Sequence, residues 1–412
     1  MTGAPTRILL VAPTAELTDR ARALGVETFV VTTKRRAGLE HIGHARMTLV
    51  VDDLSDDQVL PVVTAAHRLA PFSACVSLTE YGLEPAAAIA AALGIRGVDA
   101  DAVRRTRDKA LMREALARAG LSEVAAQECV SADEAHRFAK RHGYPVIVKP
   151  VDGVGSAMVR RVDGPDDMVL AFPDADAAPA PRFLVEQYLT GPEYSVECFT
   201  VDGAHTVLAV TEKHLIGGAE QAAYVELGHA VPAALAEPDR AAIVALTVEA
   251  LTVLGVDGGP SHTEVKVTPS GPRIIETHTR VGGDYIPDLV QRVTGVDLYE
   301  QTVRWAAGLP MSLAAIPGGC GAAIRFFTPD PGVLTSVHGA SLISNLPGVV
   351  RHELTVRSGD TVPPVRRSLD RSGYVLAVGE DGRAAMALCE RAVGLVRFES
   401  DPAVVARRPL NA

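Results

Sequence analysis

The chain has 412 residues, 47% apolar and 22% charged: long enough for two or three packed units, and outside the disordered, collagen-like and disulfide-scaffold classes. Forty Lys and Arg against 50 Asp and Glu give a formal charge of −10, which argues against nucleic-acid or anionic-membrane partners, because both need a concentrated basic surface. A small-molecule partner is expected. Only six of the 40 basic residues are lysines (Lys34, Lys109, Lys140, Lys149, Lys213 and Lys266), so a retained ammonium is either needed as a point charge or is plain solvated surface.

Five dispersed cysteines, Cys75, Cys129, Cys198, Cys320 and Cys389, form no CxxC pair and imply neither a disulfide framework nor a zinc knuckle. The short run Ile8 to Val11 is no signal-peptide core, and the apolar helical run from Pro85 to Ile95 is about half of what a bilayer requires, so a cytoplasmic protein is expected.

In chain order, strands are predicted at Arg7 to Val11, Thr28 to Thr32, Met47 to Val51 and Ala74 to Leu78. Helices fall between and after them, at Ala15 to Leu24, Asp56 to Leu69 and Pro85 to Leu93. Alternation at this spacing indicates a small doubly wound α/β unit, and the first turn (Ala12 to Ala15) lacks the glycines of a dinucleotide site. A single helical segment spans Asp101 to Gly120. Residues 123 to 189 alternate strands (Ala125 to Val130, Val146 to Pro150, Met158 to Val162, Arg182 to Tyr188) with a helix near Ala132 to Arg141. The low-complexity stretch Ala171 to Pro181 is expected to be a surface loop. A longer α+β section runs from Ser195 to Leu309, and Cys320 to Ala412 reads mostly as strands between Gly and Pro turns.

Two constellations carry chemistry. Strand Val146 to Pro150 delivers Lys149 beside a loop containing Gly153, Gly155 and Ser156, whose backbone N–H groups could bind phosphate oxygens while the ammonium neutralises them; the plain alternative is a glycine-rich hairpin with a snorkelling lysine. The second is a pair of strands, His262 to Thr268 and Arg273 to Arg280. A three-residue loop of Pro269, Ser270 and Gly271 would pair 268 with 272, 266 with 274 and 264 with 276. His262, Glu264, Lys266, Glu276, His278 and Arg280 would then share one face, with Val265, Val267 and Ile275 on the other. Directly opposed carboxylates repel unless a cation or proton lies between them, and Mg²⁺ fits that need; the plain alternative is a solvated charged ladder. Gly282, Gly283 and Asp284 follow at once and permit close approach to a ligand.

Taken together, Lys109, Val148-Lys149-Pro150, the Gly/Ser loop, Val185 to Leu189, Gly191 to Glu197 and Glu264/Glu276 resemble the ATP-grasp superfamily of carboxylate–amine ligases over roughly residues 7 to 310. Thr211 to His214, Val225 to His229, Pro232 and Arg280 to Asp284 resemble its L-amino-acid ligases, which form dipeptides and related amides. The resemblance implies an α/β and α+β chain with the ATP-grasp fold. Its parts would be a doubly wound pre-ATP-grasp domain (1–100), a helical linker (101–122), a small lid domain (123–189) and a large catalytic domain with a β-rich C-terminal subdomain (190–412). It implies ATP contacts from Lys109, Lys149, Lys213, Glu186, Gln187, Tyr188 and Leu189, ribose binding by Glu193, and Mg²⁺ on Glu264 and Glu276. Arg280 would steady an acyl phosphate, and Glu226, His229, Gly282, Gly283 and Asp284 would face the substrates. The usual E-x-N-x-R reads Glu276-Thr277-His278-Thr279-Arg280 here, so either the second metal position is altered, opening it to Mn²⁺, or His278 addresses substrate.

The expected reaction activates a carboxylate as an acyl phosphate, with Lys149, Glu276 and Arg280 in the chemistry, and couples it to an amine. A homodimer is a family-level expectation. The competing readings are a bicarbonate-using carboxylase of the same fold, a catalytically silent ATP-binding protein, and a scaffold subunit.

Overall fold

The computed structural model describes residues 6–38, 44–153, 158–172, 182–216, 225–315 and 319–402. Strand β1 (Arg7–Val11), helix α1 (Ala15–Ala23), β2 (Glu27–Thr33), β3 (Met47–Val51), α2 (Asp56–Leu69), β4 (Ala74–Val76) and α3 (Leu83–Leu93) build a parallel sheet of order β3-β2-β1-β4. Ile8, Leu10 and Val30 pack with Leu17 and Ala21 of α1 on one face; Leu9, Val11, Phe29 and Val31 pack against α2 and α3 on the other. Burial on both faces is why these strands are continuous apolar runs.

The single helix expected over 101–120 is two, α4 (Ala100–Arg107) and α5 (Lys109–Arg118). Asp108 is extended (φ −84°, ψ 104°), and its carboxylate accepts the N–H groups of Ala110 and Leu111, each at 2.9 Å, so it caps the second helix where the first ends. Lys109 thereby opens a helix instead of lying within one. A four-stranded antiparallel sheet of order β5-β8-β6-β7 follows, made of β5 (Ala126–Cys129), β6 (Val146–Pro150), β7 (Arg160–Val162) and β8 (Phe183–Gln187). Helices α6 (Ala132–His142) and α7 (Pro165–Ala171) cover one face of it around Phe138, Met168 and Phe183.

The remaining elements are β9 (Glu193–Val201), β10 (Ala204–Leu215), β11 (Glu226–Val231), α8 (Glu237–Leu254), β12 (Gly258–Thr268), β13 (Gly271–His278), α9 (Ile286–Thr294), α10 (Leu298–Ala307), β14 (Gly321–Phe326), β15 (Gly332–His338), β16 (Val349–Leu354), β17 (Thr361–Val362), β18 (Gly373–Gly379), α11 (Gly382–Gly394) and β19 (Arg397–Asp401). Eight of these strands form one antiparallel sheet of order β13-β12-β9-β10-β11-β14-β18-β16, and β17-β15-β19 form a small separate sheet. Val196, Cys198, Val210, Val265 and Ile274 pack under α8, and Ala323, Val375 and Ala377 pack under α11. The expectation of mostly strands in the C-terminal part thus missed one long helix. Helix α11 is capped by Asp381, which accepts the N–H of Ala384 at 2.7 Å, and it buries Ala385, Met386, Leu388, Cys389 and Ala392.

The β12–β13 turn also differs from expectation. It has two residues, Pro269 and Ser270: Thr268 pairs with Gly271, Lys266 with Arg273 and Val265 with Ile274. A β-bulge at Ile275 then restores the parity, so that Glu264 pairs with Glu276 and His262 with His278. Ile274 takes the core position, and Ile275, expected on the core face, lines the cleft instead. Among the described residues, no helix is long and apolar enough to cross a membrane.

Candidate active site

Side chains opposed across antiparallel strands share a face, as do residues two apart along one strand. The pairings 193↔213, 213↔229, 195↔264, 193↔266, 197↔262, 264↔276 and 262↔278 therefore gather Glu193, Ser195, Glu197, Lys213, His229, His262, Glu264, Lys266, Glu276 and His278 on one face of the large sheet. Farther along the same face Ile324, Phe326 and Leu376 turn it apolar beneath α9 and α10. Its polar part faces β6 and β8 across a cleft lined by Lys109, Lys149, Glu186, Glu193, Glu264 and Glu276.

Lys149 on β6 lies 2.5 Å from Glu186 on β8, and Arg113 of α5 donates from Nε to the same carboxylate at 2.9 Å. Burial favours the neutral acid, but Arg113 and Lys149 outweigh it and hold Glu186 ionised below its usual range. Gln187, Tyr188 and Leu189 continue along the rim; Arg161 stands over the Tyr188 ring at 4.6 Å, and the Leu189 carbonyl accepts from Lys266 at 3.4 Å. Lys109 donates to the Gly153 carbonyl at 2.7 Å and lies 3.2 Å from Glu276. Gly155 and Ser156 fall outside the described residues.

Lys213 is the hub. Its buried ammonium lies 2.5 Å from Glu264, 3.0 Å from Glu193 and 3.3 Å from Glu226. Behind Glu264, the wholly buried Glu197 accepts from Ser195 at 2.7 Å and meets His262 Nδ1 at 2.9 Å. Burial opposes charge on Glu264 and Glu276, yet Lys213 for the first, and Lys109 with His278 for the second, keep both carboxylates below the usual range.

That donor set fits Mg²⁺. Two ionised carboxylates face each other across adjacent strands, and a hard cation completes such a pair with phosphate oxygens and water. Among the described residues no three His, Cys, Asp or Glu side chains are arranged to hold a metal ion by themselves. His278 sits 3.1 Å from Glu276 Oε1 and 2.8 Å from Glu80 Oε1.

The far end of the face carries the other expected residues. Arg280 donates from Nε to Glu80 at 2.6 Å and from Nη1 to the Val281 carbonyl at 2.8 Å. Gly282 is tightly packed: a Cβ there would stand 3.0 Å from His262 Nδ1 and 3.1 Å from Ile286. Around Gly283 the space is open. Asp284 and Tyr285 are both left-handed (φ 52° and 63°), a conformation that costs a non-glycine residue about 1 kcal/mol or more. Asp284 is met by His229 Nε2 at 3.3 Å and by both terminal nitrogens of Arg371.

Glu80 and Arg371 were not singled out in the sequence. Nor was Ser368, whose hydroxyl donates to Glu226 at 3.1 Å. Their partners lie 200, 87 and 142 residues away along the chain, a separation no local pattern encodes.

Three family models match: the ATP-grasp N-terminal domain over residues 18–97, the ATP-grasp domain over 142–288 and the L-amino acid ligase C-terminal domain 2 over 325–401. The chain belongs to the ATP-grasp superfamily. Within it, the C-terminal module is that of the L-amino acid ligases. The solved L-amino acid ligase of Bacillus licheniformis superposes with a TM-score of 0.82 at 21% identity, over 97% of this chain and all of that one, which shows a shared fold. Among curated relatives, an uncharacterised protein, y4rH, of Sinorhizobium fredii is 28% identical over 74% of this chain and 64% of its own length. Alanine–anticapsin ligase of Bacillus subtilis is 24% identical over 59% of this chain and 56% of its own length. The chain thus spans somewhat under two thirds of these relatives.

Proposed function

We propose that this protein is an ADP-forming ligase that activates a carboxylate, most simply that of an amino acid, and joins it to an amine as an amide or dipeptide. One observation carries the reading: the opposed Glu264 and Glu276, each beside a lysine ammonium, face Lys149 and Glu186 of the small sheet across the cleft and lead directly to Arg280. The names of the relatives support it, alanine–anticapsin ligase and dapdiamide A synthase of Enterobacter agglomerans among them.

In this reading the division is 1–100, 101–122, 123–189 and 190–412, with ATP held between the third and fourth parts. Tyr188 and Leu189 flank the base, Glu193 takes the ribose, and Lys109 and Lys149 neutralise phosphate charge as the γ-phosphoryl group moves to the substrate carboxylate. Mg²⁺, when bound by Glu264 and Glu276, supplies charge neutralisation at the transferring phosphoryl group. Arg280, fixed along one edge by Glu80, stabilises the oxyanion formed when the amine attacks the acyl phosphate. Glu226, His229, Gly283 and Asp284 border the space left for the amine. The substrates are small soluble metabolites, consistent with a cytoplasmic enzyme; a homodimer is part of the proposal.

The test is purified protein with ATP, Mg²⁺ and pairs of amino acids, with ADP and products followed by mass spectrometry. Amide formation with matching ADP release is expected. Tight ATP binding with no amide from any pair would contradict it and favour a silent nucleotide-binding protein.

A further inference from the structure

Glu80 lies just beyond the carboxyl end of β4, at the edge of the N-terminal parallel sheet where chain order reverses, the position at which open α/β sheets place ligands. Its side chain is turned away from its own unit. Oε1 accepts from Arg280 Nε at 2.6 Å and lies 2.8 Å from His278 Nδ1, and Oε2 lies 3.6 Å from Arg107 Nε. The second nitrogen of His278 lies 3.1 Å from Glu276 Oε1. One imidazole therefore stands between a carboxylate of the N-terminal unit and a carboxylate of the cleft. The ring is buried, and it stacks on His262 with centroids 6.4 Å apart and planes 23° from parallel. His278 Nε2 meets Glu276 in hydrogen-bond geometry, while Nδ1 lies 2.8 Å from Glu80 without an aligned hydrogen bond, so both ring nitrogens are turned to carboxylate oxygens.

We propose that Glu80 is a positioning residue that acts through His278 and Arg280, with His278 serving as a strut to Glu276 and not as a third metal ligand. Two groups that must be aligned for carboxylate activation, the metal carboxylate and the arginine facing the acyl phosphate, are then referred to a single anchor on the N-terminal unit. Outer partners of this kind orient a metal-binding carboxylate without touching the ion. The inference rests on the reading of Glu264 and Glu276 as the metal carboxylates.

The test uses the full chain with Mn²⁺ and ADP as the probe. Glu80→Ala and His278→Gln are each expected to weaken Mn²⁺·ADP binding by about tenfold. The double variant is expected to be no weaker than either single one, because both cut the same path. Pulsed electron paramagnetic resonance of the wild-type Mn²⁺·ADP complex should show no directly bound histidine nitrogen. Fully additive losses would overturn the strut, and so would a histidine nitrogen coupling that vanishes in His278→Gln. If Glu80→Ala does not fold, the isosteric Glu80→Gln takes its place in the cycle. A wild-type protein that binds ADP but no Mn²⁺ would overturn the underlying metal reading, an outcome distinct from failure of the strut alone.

Discussion

Arg371 grips Asp284 with both terminal nitrogens of its guanidinium, at 2.7 and 2.6 Å, while its plane lies 3.6 Å over Phe326 and its Nε donates to the Ser368 carbonyl at 2.6 Å. The C-terminal module, which matches the L-amino acid ligase family, thus reaches into the active face formed by earlier strands and holds the left-handed turn at Asp284 and Tyr285. A bidentate fork is what a lysine cannot reproduce. Arg371→Lys is expected to raise KM for the amine substrate about tenfold with a smaller change in kcat. Arg371→Ala, which leaves a largely buried carboxylate with His229 alone, should cost about 3 kcal/mol of stability. Steady-state kinetics and urea unfolding of both variants check this.

Lys213 is the sole ammonium within 3.3 Å of three carboxylates on this face, Glu193, Glu226 and Glu264, among the described residues. Removing it leaves like charges buried together. Lys213→Met is expected to lose about 3–5 kcal/mol of stability at neutral pH, and less in mild acid where the carboxylates can take up protons. Chemical unfolding at two pH values measures the difference.

Glu276→Gln keeps shape and removes charge. It should lower turnover about 100-fold or more while the circular dichroism spectrum stays that of the wild type. Activity near wild type would show that the Glu264 and Glu276 pair does not hold the metal.

Glu186 sets a pH dependence of stability. Its folded carboxyl is held below its unfolded value because Arg113 and Lys149 outweigh the cost of burial. The associated stability is present above the unfolded value, about 4.3, and drains away as pH falls through the lower folded value. Glu186→Gln is therefore expected to flatten the acid limb of the stability curve, seen in melting temperature against pH below about 5.

Much of this was legible from residue order. The strand and helix alternation of the first hundred residues and Lys149 on its strand follow from periodicity, and the opposition of Glu264 and Glu276 was expected from a three-residue loop. The last followed in spite of the turn: a two-residue connection by itself would have put the glutamates out of step, and the bulge at Ile275 realigns them. Nothing in Arg273 to Glu276 marks that bulge, because Ile274 and Ile275 are the same residue type and only packing decides which enters the core. The break at Asp108 was hidden among the helix formers on either side; Asp108 caps α5 and is also met by Arg182, just before β8, at 3.1 Å. Glu80, Ser368 and Arg371 act across domain-scale separations, where composition and spacing are silent.

Phosphorylation of a carboxylate before the amide forms would leave an isotopic signature. With an amino acid labelled with ¹⁸O in its carboxylate, Mg·ATP and an accepting amine, each amide made should release one inorganic phosphate carrying one ¹⁸O atom, read by mass spectrometry. Amide formation with unlabelled phosphate would rule that phosphorylation out.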